Sequence, residues 1–230
     1  MRSSLASILF TGLPLVLAAQ SAEPDDSAVL AGQIAGDTYV SATGLFRIAV
    51  PVLPELGANI TDTPNVVTFA DAFTTHITIA VFPLDATQRW ELSTTSKKEY
   101  LVKFFSGFLL ADFRQKFPGS SVESATYLPT VQDGALLVYA LLPGGSMFNQ
   151  RLVLFGATDN LPTAKRGNLL FVKGDNIFIL SSEIAERATE RSLYTKTTAQ
   201  EDEILRNRLL EVLGAIRFTG TVAATPSAGK

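Results

Sequence analysis

"NLLFVKGDNIFILSSE", residues 168–183, decides the fold class. Two runs of large apolar residues flank Lys173-Gly174-Asp175-Asn176. A glycine-led pair of loop residues between two such runs signals a tight hairpin. The stretches before it have the same character. "SVESATYLP" (121–129), "GALLVYALLP" (134–143) and "MFNQRLVLFGA" (147–157) read as strands, separated by the turn signals Gln132-Asp133-Gly134 and Gly144-Gly145-Ser146. Connections this short join antiparallel neighbours, because a parallel crossover needs about a dozen residues or more. The chain from 121 to 183 is expected to be an antiparallel meander.

Working upstream, the period changes. "STTSKKEYLVKFFSGFLLADFRQKFPG" (93–119) places Ser96 three residues before Glu99, the spacing of a capping box. Leu101, Phe104, Phe105, Phe108, Leu109 and Phe113 recur at helical spacing. Arg114 and Lys116 suit the negative end of the helix dipole, and Pro118-Gly119 ends the run. Before this long helix, "GLFRIAVP" (44–51), "NVVTFAD" (65–71) and "HITIAVFP" (76–83) read as strands, the last two as a hairpin. Ile77, Ile79 and Val81 share one face of the third strand, and His76, Thr78, Ala80 and Phe82 the other. Downstream, a second helix is expected from Thr198 to Leu213. Thr198 and Glu201 form its capping pair, Ile204, Leu205, Leu209, Val212 and Leu213 its apolar face, and Gly214 its C-terminal cap. "AIRF" (215–218) then reads as a short last strand. Residues 183–192 read as a short helix or a loop, with Glu183, Glu186, Arg187, Glu190 and Arg191 on a solvated surface.

The ends of the chain differ from this body. Residues 1–22 have the form of a secretory signal peptide: Arg2, an apolar stretch from Leu5 to Ala19 too short for a comfortable membrane span, then small residues. Residues 23–37 read as a flexible leader, 38–220 as one domain, and 221–230 as a disordered tail. Export to a bacterial periplasm, or secretion, is the expected location, with no transmembrane anchor after cleavage. The chain contains no cysteine, which excludes disulfides, thiolate metal sites and a cysteine nucleophile. With 19 basic and 22 acidic residues and no basic run, it lacks the face that nucleic acid binding requires.

The order of elements resembles the PsbP-like and DcrB-like families. It is carried by "GLFRIAVP", the strand pair and long helix after it, the meander ending in "LLFVKGDNIFILSSE", and the helix running into "LLEVLGAIRF". The last stretch departs from the family pattern, with Ala215-Ile216-Arg217-Phe218 where serine-phenylalanine is usual. The resemblance covers residues 38–220 as architecture. It implies an α+β fold, an α/β/α sandwich whose central, mainly antiparallel sheet is flanked by the long helix and the C-terminal helix. It also implies a non-enzymatic accessory or interaction role, and it transfers no site residue.

His76 is the only histidine. No G-x-S-x-G elbow accompanies it, and its neighbours are threonines and branched apolar residues, so a place on a strand face is the reading preferred to catalysis. Acidic residues such as Asp71, Asp85, Glu91 and Asp175 fall mostly in turns, where carboxylates bond nearby backbone. No catalytic residue, cofactor or metal is assigned. The candidate partner-binding residues are Arg89 and Trp90, in the connection before the long helix, and Met147 and Phe148, at a hairpin tip. The expected function is a non-catalytic, protein-binding accessory of the cell envelope. Two alternatives stand beside it: a carrier of a small apolar ligand under the phenylalanine-rich helix, and a carboxylate-based hydrolase.

Overall fold

The 168–183 hairpin lies in the middle of the sheet it foretells. β9 (Thr163–Lys173) and β10 (Asn176–Glu183) pair antiparallel, with Lys173 opposite Asn176. Gly174, first of the two loop residues, has φ 58°, the conformation for which a primed hairpin turn selects glycine. Both strands are buried almost throughout, because both faces of the sheet are covered.

The computed structural model describes residues 30–148, 161–189 and 193–219. The elements before the hairpin are β1 (Gln33–Ala35), β2 (Thr38–Val40), β3 (Phe46–Ala49), β4 (Asn59–Asp62), β5 (Val66–Ala70), β6 (His76–Pro83), α1 (Ala86–Thr94), α2 (Lys97–Phe104), a π-helical turn (Phe105–Leu109), α3 (Leu110–Lys116), β7 (Ser121–Leu128) and β8 (Ala135–Pro143). After it come α4 (Ala185–Thr189), α5 (Thr198–Ala215) and β11 (Arg217–Phe218). A seven-stranded sheet has the order β4-β5-β6-β10-β9-β8-β7, and a four-stranded sheet the order β1-β2-β3-β11. Every pairing in both is antiparallel.

The large sheet separates two cores. On one face Leu101, Phe105, Leu109, Leu110 and Phe113 of the long helix pack on Leu136, Val138, Leu170, Val172, Ile177 and Ile179. In a straight α-helix the stripe from Leu101 to Phe113 would drift by about 120° around the axis. The wider π turn takes back part of that drift and keeps the stripe on the sheet. On the other face α5 and the small sheet share the covering. Leu205, Leu209 and Val212 pack beside Tyr39, Phe46 and Ile48 over Val67, Phe69, Ile79, Leu169, Phe171 and Leu180. Gly167 permits the close approach of α5, since a Cβ there would lie 3.0 Å from Leu209 Cδ1. The expected sandwich is therefore present, with one outer layer made of helix and the other of helix plus a second sheet.

Several local expectations need correction. Within the stretch 23–37 expected as a flexible leader, Gln33–Ala35 pair with β2, and the amides of Ala31 and Gly32 donate to Asp62 at 2.8 and 2.7 Å. The C-terminal helix is capped one residue earlier, by Thr197 with Gln200, which frees Glu201 for the interior. It also runs through Gly214 to Ala215 instead of ending at the glycine. The expected signal peptide (1–22), the expected tail (221–230) and nearly all of the strand expected at 147–157 lie outside the described residues.

Candidate functional site

Arg89 and Trp90 sit on a helix, not in a loop. α1 starts at Asp85, whose carboxylate accepts from the Gln88 amide (2.8 Å), while the Gln88 side chain accepts from the Asp85 amide (2.9 Å). This reciprocal cap carries the helix, for none of its residues is buried. Trp90 is 65% exposed, so it does not fold back on the core edge. The Arg89 guanidinium donates to the Leu84 carbonyl, tying the exposed helix to the end of β6. Periodicity was silent because α1 has almost no apolar stripe. The Asp85…Gln88 spacing was the signal available.

Met147 and Phe148 lie elsewhere. Pro83, next to α1, and His76, beside Phe148, are the two ends of β6, roughly 23 Å apart at strand rise. Phe148 is only 6% exposed and meets the His76 ring edge-on at 6.1 Å, so it is not an open hairpin tip. The turn before it is latched to the sheet. The Ser146 hydroxyl donates to Glu183 at 2.5 Å, the Met147 amide donates to the same carboxylate at 2.9 Å, and Arg166 donates to the Gly145 carbonyl at 3.1 Å.

Glu183 is fully buried, contrary to its place on the expected solvated surface, and faces Arg166 across the β9–β10 ladder at 3.5 Å. Burial pushes the Glu183 carboxyl up, against the opposing pull of Arg166. Burial likewise lowers Arg166. Burial, and then the Arg166 charge, draws His76 down to about 4. Next to this group, Thr68, Thr78, Ser181 and Asn168 form a row across four strands, with Ser181 donating to Asn168 at 2.8 Å. Ser146 is committed to Glu183, so it does not stand as a nucleophile activated by His76.

The opposite face of the same strand holds a second ionic group. Lys165 is wholly buried and meets Glu123 of β7, Asp202 of α5 at 2.5 Å and Glu201 of α5 at 3.2 Å. Burial acts to lower Lys165, yet its bonds to Asp202, Glu123 and Glu201 hold it above its ordinary value. Arg187 also pairs with Glu201, at 2.9 Å, and Tyr194 donates to Glu201 at 2.7 Å. Arg187 thus reaches α5 rather than Glu183. The Lys165 ammonium lies between the three carboxylates, and no group of three or more His, Asp or Glu side chains that could hold a metal ion is present among the described residues. Sequence reasoning missed both ionic groups, because their members come from strands and helices far apart in the chain.

Two of the scattered acids have the local work expected of turn residues. Asp71 accepts from the amides of Phe73, Thr74 and Thr75 at 2.7, 2.7 and 3.0 Å, and Asp85 caps α1. The space under the long helix is occupied by packed side chains, with Leu101, Phe105 and Ile177 each 2% exposed or less. No described helix is long and apolar enough to cross a membrane.

No family model matches the chain, and no curated protein matches it. Solved structures do. The Ran-binding protein Mog1p of Saccharomyces cerevisiae is similar at 13% identity, over 82% of this chain and 96% of that one, with a TM-score of 0.44. Cyanobacterial PsbP (CyanoP) of Synechocystis sp. PCC 6803 is similar at 11% identity, over 82% and 98%, with a TM-score of 0.46. No site or activity is carried over from either protein.

Proposed function

We propose that this chain is an exported, non-catalytic interaction domain of the bacterial cell envelope, and that α1 docks a protein partner through Trp90 and Arg89. The observation that carries the reading is a helix with no buried residue that nevertheless presents a tryptophan at 65% exposure. A nine-residue helix is marginal by itself, and this one depends on a capping box. Arg89 is also exposed, and tryptophan and arginine are the residue types over-represented as interface anchors. Export rests on the signal-like residues 1–22.

The test is capture from the native envelope by the tagged mature protein, comparing wild type with Trp90→Ala and Arg89→Ala. The expected result is a partner band that both substitutions weaken, with thermal stability unchanged in Trp90→Ala, whose side chain is open. Capture that survives both substitutions would overturn the assignment. N-terminal sequencing of the cellular protein should begin near Glu23. A cytosolic protein retaining Met1 would overturn export.

A further inference from the structure

A cavity of about 360 Å³ opens between the turn of the β9–β10 hairpin, in the large sheet, and β11, in the small one. Leu45, Phe178, Ile216 and Phe218 supply its apolar lining, and Lys173 and Arg217 its charged groups. Among the described residues no carboxylate lines it. The volume lies in the range of small-molecule sites.

The position of the Lys173 ammonium points to the ligand. It lies 4.6 Å from the centre of the Phe218 ring, which itself lines the cavity, and it donates to the Gln132 side chain at 3.1 Å. A long, flexible side chain is thus held at two points beside the cavity, with ammonium donors to spare. It meets no carboxylate among the described residues, and neither does Arg217, whose guanidinium donates to the Gly214 carbonyl at 3.0 Å. Arg217 stands directly opposite Arg47 in the β3–β11 ladder, and Arg47 makes no ion pair among the described residues either. Like charges facing each other across two strands are unfavourable unless an anion offsets them. In a chain with more acidic than basic residues, three cations without a carboxylate partner gather at this one end. The rings beside them favour an aromatic body. Phe178 and Phe218 meet edge-on at 5.2 Å, an arrangement that a further ring can extend.

We propose that this cavity binds a small aromatic carboxylate, its ring against Phe218, Leu45 and Ile216 and its carboxylate on the Lys173 ammonium. The site is separate from α1 and does not depend on the docking role of Trp90. A charge-assisted bond from a lysine already held in place is stronger than one from a lysine that must first be ordered.

The probe is 2-naphthoate, titrated into the purified chain by calorimetry, with amide NMR shifts locating it. The expected result is saturable binding with shifts at Gly174, Phe178 and Phe218. Lys173→Gln should weaken naphthoate about tenfold and leave thermal stability unchanged, since Lys173 is exposed. The uncharged analogue 2-naphthalenemethanol should bind wild type at least tenfold more weakly than naphthoate, and its affinity should not respond to Lys173→Gln. Lys103→Gln, an exposed cation of α2 on the other face of the large sheet, should leave naphthoate affinity as it is. Absence of saturable binding, shifts confined to other parts of the chain, the alcohol binding as tightly as naphthoate, or naphthoate affinity indifferent to Lys173→Gln would each overturn the proposal. Equal weakening by Lys173→Gln and Lys103→Gln would also overturn it, by showing a response to overall charge instead of a site.

Discussion

Lys165→Met tests the account of how α5 is held to the sheet. The lysine side chain is wholly buried, and its ammonium is shared by Glu123, Glu201 and Asp202, whose side chains are 22%, 3% and 28% exposed. Methionine keeps most of the volume and removes the charge, leaving three carboxylates facing one another. Breaking a buried pair from one side costs about 3–5 kcal/mol. Glu123 and Asp202 can turn partly to water, and Glu201 retains Arg187 and Tyr194, so the lower end, about 3 kcal/mol, is expected. At this chain length that corresponds to a Tm lower by about 6–12 °C. Urea unfolding and calorimetry at pH 7 would measure it. The pH dependence is a second check. The folded-state pKa of Lys165 is raised, so its contribution is fully present below the unfolded value and is lost only as pH rises through the folded one. The gap between wild type and Lys165→Met should stay constant from pH 7 to about 10 and narrow above that. A loss under about 1 kcal/mol, or a gap that fades below pH 9, would refute the reasoning.

Three other outcomes follow from the same structure. His76, drawn down to about 4, takes up its proton more readily when unfolded, so wild type should lose about 3 kcal/mol more than His76→Gln between pH 7 and pH 4, as paired urea melts would show; an NMR midpoint near 6.5 would contradict this. Arg166→Met and Glu183→Leu should each destabilise by about 3–5 kcal/mol, since each leaves the other charge buried, while the double variant should recover much of that loss in a double-mutant cycle. Asp85→Ala removes half of the capping box that sustains α1, so helix-specific amide exchange should rise, at a cost of about 1 kcal/mol, together with weaker partner capture; unchanged exchange in residues 86–94 would show that packing holds the helix.

Much of the fold was legible because it rests on short-range signals. The 168–183 hairpin, the β5–β6 hairpin, the meander strands at 121–128 and 135–143 and the long helix announce themselves by period, glycine-led turns and the Ser96–Glu99 cap. β1, β2 and β4, of three, three and four residues, are too short for a period to register: β2 sets Tyr39 into the core on the large sheet, β1 is held by pairing with β2, and β4 by pairing with β5 at the edge of the large sheet. α1 escaped notice for a different reason, since its few apolar residues form no stripe. The sequence could place Trp90 and Arg89 in the right neighbourhood, but only the structure could show that Trp90 is open and Phe148 closed. Glu183 and Arg187 stand four residues apart, which in an isolated helix would pair them at the surface. The chain instead ends β10 at Glu183 and begins α4 at Ala185, so one carboxylate is buried against Arg166 and the guanidinium turns to Glu201. Patterns set by neighbours in sequence fixed the elements. Partners brought together across 20 to 80 residues, such as Lys165 with Glu123 and Asp202, or Tyr139 with Asp202, arise only when the layers close, because long-range packing and burial decide which polar groups must find one another.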